Sequence, residues 1–228
     1  MECIKLIPRR LGIGKLLSKG SRDAAITVGQ GSENWAMHLQ GLEMPGYEPR
    51  SLQTMALGLA VSTRGACHNR SSAYDSDFSS KIDRLSADKE RGRLTMEGED
   101  FSSVLDSLIW CKFLRKTFVD FYEESSNVYQ LITGWPMSPS QLMEAGERIS
   151  NLKKQFNIRE GWQRGDDTLP QRILDERLPT GVTRGVGLSH KDLDMMISTY
   201  YKERGWTSKG IIPNSKLTEL GLIGLVRQ

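Results

Sequence analysis

Asp106-Ser107-Leu108-Ile109-Trp110-Cys111 lies inside a helical pattern that runs from Phe101 to Phe113. Apolar residues recur at Phe101, Val104, Leu105, Leu108 and Ile109, the spacing of one buried helix face. An acid and a thiol interrupt that pattern five residues apart. Neither belongs in an apolar helix unless it is paired, ligated or hydrogen-bonded. Two readings stay open from spacing alone. Either Asp106 lies on the solvent face and Cys111 fills the core, or the two belong to a site. A second stretch bears on the choice. Arg64-Gly65-Ala66-Cys67-His68-Asn69-Arg70 gathers a thiol, an imidazole and two guanidiniums around a glycine.

Outward from these stretches, helical signals dominate. Ser51 to Ser62 has helical periodicity through Leu52, Met55, Ala56 and Leu59. Ser138, Pro139 and Gln141 form a capping signal ahead of a helix whose expected buried stripe is Leu142, Ala145, Ile149, Leu152 and Phe156. Ser189 and Asp192 open another helix, with Leu193, Met196, Ile197, Tyr200 and Tyr201 on its face and Gly205 at its end. Lys15 to Val28, Tyr122 to Thr133 and Ser215 to Leu220 read as further helices, each ended by a glycine. Tyr74 to Asp100 is polar and weakly periodic and reads as a surface loop with a short helix. Asn157 to Thr183 reads as a charged loop. No alternating strand pattern stands out, so the expected fold class is all-α or nearly so. Gly41 to Pro49, rich in glycine and proline, is the candidate domain boundary.

Bulk composition narrows the function classes. At 228 residues the chain can bury a substantial core, and its net charge of +3 is too small to argue for nucleic acid. The longest apolar run, Met55 to Val61, is seven residues, far below the length of a membrane span. Three cysteines at wide spacings argue against a disulfide framework and for a reducing, cytoplasmic setting. No CxxC pair exists, so the chain cannot supply four thiolates to a metal or iron–sulfur site. Residues 1–22 are basic, with Glu2 the single acid, which fits a transit peptide or, preferably, a solvated helix face. Gly12-Ile13-Gly14-Lys15 is not a phosphate loop, because Leu16 stands where that motif needs Ser or Thr.

An ordered series of motifs resembles a known family. It runs Gly41-Leu42-Glu43, Tyr47-Glu48-Pro49-Arg50 and Ser62-Thr63-Arg64-Gly65-Ala66-Cys67-His68, then Asp106-Ser107-Leu108 with Cys111-Lys112-Phe113. Phe156-Asn157-Ile158-Arg159-Glu160-Gly161-Trp162, Asp166-Asp167-Thr168-Leu169-Pro170 and Tyr200-Tyr201-Lys202-Glu203-Arg204-Gly205-Trp206 complete it. The series resembles the C-terminal part of the tungsten-pterin aldehyde ferredoxin oxidoreductases. That resemblance implies residues 1–40 as the end of a middle helical domain and 41–228 as the C-terminal helical domain. It implies a tungsten or molybdenum bis-pterin cofactor, a 4Fe–4S cluster, and oxidation of an aldehyde to a carboxylic acid with electrons passed to ferredoxin. The N-terminal β-rich domain and the cysteine triplet of that family have no counterpart here, so the chain is expected to be a C-terminal fragment or a split subunit, inactive alone, and for a split gene an N-terminal half acting in trans is the implied partner.

By the same resemblance Cys111 would be the fourth cluster ligand and Asp106 would hydrogen-bond the pterin N–H edge. Trp110 and Arg70 would join the cofactor-binding set, and His68 would be the catalytic proton shuttle. The family's DxxGLC pattern here reads DSLIWC, which puts Ile109 at the glycine position and Trp110 at the leucine position. The other expectation is a helical remnant or interaction protein that holds no cofactor.

Overall fold

A computed structural model of the chain describes residues 2–224. Twelve α-helices and one two-stranded hairpin are formed among them. Three helices come first: α1 (Glu2–Arg9), α2 (Ile13–Leu17) and α3 (Gly20–Val28). The hairpin pairs β1 (His38–Leu39) with β2 (Leu42–Glu43), and His38 lies opposite Glu43. Then follow α4 (Gln53–Ala60), α5 (His68–Ser71), α6 (Tyr74–Asp77) and α7 (Glu90–Ser107). The chain continues through α8 (Phe121–Thr133), α9 (Pro139–Arg159), α10 (Gln171–Asp175), α11 (His190–Glu203) and α12 (Asn214–Glu219). The expected all-α class is what the chain adopts.

The capped helices form as their sequences dictate. Ser138 accepts from the Gln141 backbone N–H, Gln141 returns the bond to the Ser138 N–H, and Pro139 occupies the first turn of α9. Ser189 caps α11 through the Asp192 N–H, and all five apolar residues expected on its face are buried. Every residue of α4 is buried, so this helix is a core rod rather than an amphipathic one. Met55, Leu57 and Leu59 are essentially inaccessible, each worth about 1.5–3 kcal/mol of burial. They pack with Met196, Ile197, Tyr200 and Tyr201 of α11 in the main core. A satellite core joins Val104, Leu105, Phe121 and Leu142, where α7, α8 and α9 meet.

Two expectations fail for the same reason, polar side chains in the interior. Residues 90–100 are not loop but the first part of α7, which packs against α4, α5, α9 and α11. Its buried positions include Arg91, Thr95, Glu99, Ser102 and Ser103, so no apolar stripe advertises it. Arg91 is inaccessible and donates to Thr54 Oγ1 at 2.9 Å and to the Ser86 carbonyl at 2.9 Å. Asp77 accepts from the Thr54 and Met55 N–H groups at 3.1 and 2.9 Å, which satisfies the start of α4. Arg204 bridges Glu99 and Asp100, each at 2.7 Å. Nor is 157–183 a plain charged loop. Asp167 is buried and accepts from Lys154 at 3.1 Å, from Trp162 Nε1 at 2.7 Å and from the Tyr201 hydroxyl at 2.6 Å.

The expected stripe of α9 is also corrected. Leu142 is buried, but the inward face continues with Gly146, Ser150, Asn151 and Lys154, while Leu152 and Phe156 are exposed. Small residues win there because α7 and α9 cross closely. A Cβ on Gly146 would lie 2.5 Å from the Asp100 carbonyl oxygen. The Lys15–Val28 helix breaks into α2 and α3, with the Ser21 N–H turned to Glu43 Oε1 at 2.9 Å. Of the apolar residues of the basic N-terminal stretch, Ile4, Leu11, Ile13 and Leu17 are exposed, while Leu6, Ile7 and Leu16 are half-buried.

Candidate functional site

The Phe101–Phe113 pattern does not continue as a helix to Phe113. It stops at Ser107, and the chain turns through Leu108-Ile109-Trp110. The Trp110 N–H donates to the Leu105 carbonyl at 3.0 Å and the Ile109 N–H to the Asp106 carbonyl at 3.2 Å. This is the paired bonding of a Schellman C-cap, whose hinge residue must be left-handed. That residue is Ile109, with φ +60°. A β-branched residue is strained there, where glycine is the ordinary occupant. The turn then separates its side chains. Ile109 is 90% exposed, Trp110 folds back onto the satellite core and Cys111 projects outward.

Trp110 meets the Phe118 ring edge-on at 5.3 Å, and its Nε1 is buried without a hydrogen-bond partner. Of the sequence-nominated residues, it alone is directed into the packing and away from the others. Its location makes it the anchor of the Cys111 turn.

The other strand of the site is the segment from Arg64 to Arg70. Gly65 adopts φ +91°, and a Cβ there would sit 2.5 Å from the Leu39 carbonyl oxygen. Glycine thus lets this loop lie against β1 and deliver α5 to the end of α7. Arg70 then reaches Asp106 at 3.6 Å, and Lys112 reaches the other carboxylate oxygen at 3.3 Å. Lys112 also donates to the Asn69 carbonyl at 2.8 Å, so one ammonium ties both segments together. His68 begins α5 and packs its imidazole against Tyr47 and Tyr74, with centroids 5.4 and 5.8 Å away. Tyr47 and Tyr74 stack on each other at 5.5 Å. Burial, helped by the Lys112 charge, holds the His68 pKa below its ordinary value of 6.5. The imidazole is therefore neutral near pH 7 and able to accept a proton.

Arg70 and Lys112 thus meet at Asp106, His68 lies one residue before Asn69 within the field of the Lys112 charge, and Cys111 leads into Lys112. Lys112, Tyr47 and Tyr74 are site residues that the sequence reading did not nominate. Lys112 and Tyr47 lie within family-like motifs, but their neighbours across the fold give them their roles.

Among the described residues no group of three or more His, Cys, Asp or Glu side chains could hold a metal ion. The donor set does fit a shared site. Cys111 is an exposed free thiol, and Asp106 is a partly exposed carboxylate held by two cations. One thiolate and one acceptor edge are what this face can offer.

Residues 1–222 match the family described as aldehyde ferredoxin oxidoreductase, domains 2 and 3. The chain belongs to that family. It is 32% identical to a tungsten-containing aldehyde ferredoxin oxidoreductase of Pyrococcus furiosus over 96% of this chain and 36% of the relative. The Thermococcus kodakarensis enzyme of the same description is 31% identical over the same shares. The aliphatic sulfonate oxidoreductase WOR-like subunit of Pyrococcus furiosus is 29% identical, over 97% of this chain and 34% of the relative. The chain therefore spans a little over a third of the length of these curated relatives. The active-site complex BamBC of benzoyl-coenzyme A reductase, solved with 1,5-dienoyl-CoA, shares the fold with a TM-score of 0.68 at 20% identity. That alignment covers 98% of this chain and 38% of the other.

Proposed function

We propose that this chain is the C-terminal part, as a fragment or a split subunit, of a tungsten- or molybdenum-pterin aldehyde oxidoreductase whose site is completed by the N-terminal half of that enzyme. In this reading residues 1–40 end the middle helical domain and 41–228 form the C-terminal one. The observation that carries it is the Arg70–Asp106 pair between the His68 segment and an outward Cys111 thiol, in a chain that matches domains 2 and 3 of that family. A bis-pterin metal centre with a 4Fe–4S cluster would take two electrons from the aldehyde and pass them on to ferredoxin.

The chain's own groups have distinct tasks. Cys111 offers one thiolate to the cluster, with the partner supplying the remaining ligands. The exposed side chains of Ile109 and Phe113 flank that thiol and would exclude water from it. Asp106 would accept from the pterin N–H edge, with its carboxylate held in direction by Arg70 and Lys112. His68, neutral and clamped by two tyrosine rings, accepts the proton released as the aldehyde is oxidised.

The test is co-expression with a matching N-terminal half that carries a cysteine triplet, without oxygen, followed by iron, metal and pterin analysis. Cys111→Ser is expected to lose cluster iron and Asp106→Ala to lose pterin. His68→Ala should retain both and turn over slowly. The chain alone should neither hold a cluster nor reduce a dye with aldehyde. Three variants with full cofactor and full activity would leave only the helical scaffold, and the reading would be wrong.

A further inference from the structure

Beside the site, on the far side of Arg70, a cavity of about 430 Å³ opens between the loop before α5 and the exposed face of α9. Arg64, Arg70 and Lys153 line it, Leu152 and Phe156 form an apolar wall, and no carboxylate faces it. A narrower extension runs between Arg70 and Lys153 to Ser103 and Ser150, whose hydroxyls are 3.3 Å apart. Glu99 also borders this extension, but its carboxylate is engaged by Arg204 and Tyr200. Asp106, which meets Arg70, is shared with Lys112. Burial, then the like charge of Arg70, push the Lys153 pKa below its ordinary value. Half-buried Arg70 and Lys153 and exposed Arg64 bring like charges together, and Asp106 and Glu99 only partly offset them at Lys153. A cavity built this way gains free energy from an anion.

We infer that the Arg64–Arg70–Lys153 cavity binds a phosphate-type dianion, held by the three cations and backed by the Leu152–Phe156 wall. Three cations, of which only Arg70 has a carboxylate partner and shares it with Lys112, favour a dianion over a carboxylate, which would neutralise only one of them. Two guanidiniums supply the fork that matches phosphate oxygens. Phosphate carries about −1.5 to −2 charges near neutral pH. The apolar wall suits a phosphate monoester on a flat ring, and the cations alone suit free phosphate. The cavity adjoins the proposed cofactor site through Arg70, yet its binding needs no cofactor, so it can fail while that reading stands, and the reverse.

The experiment titrates the full chain with inorganic phosphate, phenyl phosphate and benzoate at fixed ionic strength, followed by calorimetry and by chemical shifts. Saturable binding of both phosphates, with benzoate at least about tenfold weaker, is the expected result. Arg64→Gln and Lys153→Gln should each weaken phosphate about tenfold, and Lys153→Arg should restore it. Phe156→Ala separates the sources. If it weakens phenyl phosphate alone, the natural ligand is a phosphomonoester. If phenyl phosphate gains nothing from Phe156, it is free phosphate. No saturable binding, equal binding of benzoate, or phosphate binding unchanged in folded Arg64→Gln and Lys153→Gln proteins overturns the inference.

Discussion

Replacing Ile109 by glycine should make this protein more stable, against the usual effect of inserting glycine. The left-handed conformation costs an L-residue about 1–2 kcal/mol. Glycine returns about 0.5–1 kcal/mol of that through the extra freedom of its unfolded chain. The Ile109 side chain is 90% exposed, so its removal opens no cavity and forfeits little burial. The Schellman bonds from Trp110 and Ile109 are backbone bonds and survive the change. The net expectation is a gain of about 0.5–1 kcal/mol, or a Tm rise of about 1–4 °C for a chain of this length. Urea unfolding should show a higher midpoint at unchanged slope. Ile109→Ala should gain less, since it keeps a Cβ at φ +60°. A glycine variant no more stable than wild type, or an alanine variant that matches it, would refute the strain argument.

Three further predictions rest on separate parts of the fold. Gly146→Ala should destabilise by about 1–3 kcal/mol in urea unfolding, because its Cβ would meet the Asp100 carbonyl oxygen at 2.5 Å and α7 and α9 must part. Burial, opposed by Asp167, lowers the Lys154 pKa to about 8 from 10.5. Between those values the unfolded chain binds the proton and the folded chain does not, so stability rises with pH and this contribution is lost as pH falls through 8. From pH about 7.5 to about 9.5 the gain is about 2 kcal/mol, measured against Lys154→Met/Asp167→Asn, in which the slope should vanish; an identical slope would exclude Lys154 as its source. Lys112→Gln should raise the His68 pKa toward 6.5, read by imidazole proton shifts, and loosen exchange of the α5 amides. Unchanged values would deny Lys112 its tie between the two segments.

The sequence by itself determined whatever rested on local chemistry or on ordered motifs. The capping signals of α9 and α11, the glycine at the end of α8 and the face of α11 were legible because capping and periodicity act within a few residues. Family membership was legible from motifs spread along the chain, and so was the nomination of His68, Arg70, Asp106 and Cys111. The tertiary structure decided the rest. α7 was hidden because its interior face carries Arg91, Glu99 and serines whose burial is possible only with partners on other helices. The stripe on α9 misled because hydropathy does not say which face a neighbour approaches, and Gly146 and Asn151 won over Leu152 and Phe156. The Ile109 turn was unreadable in the same way. A left-handed isoleucine violates local preference, and the backbone bonds of the turn together with the packing of Trp110 onto the satellite core hold the chain there. Lys112 and Tyr74 acquire their places beside His68 through contacts between segments far apart in sequence, which no spacing rule encodes.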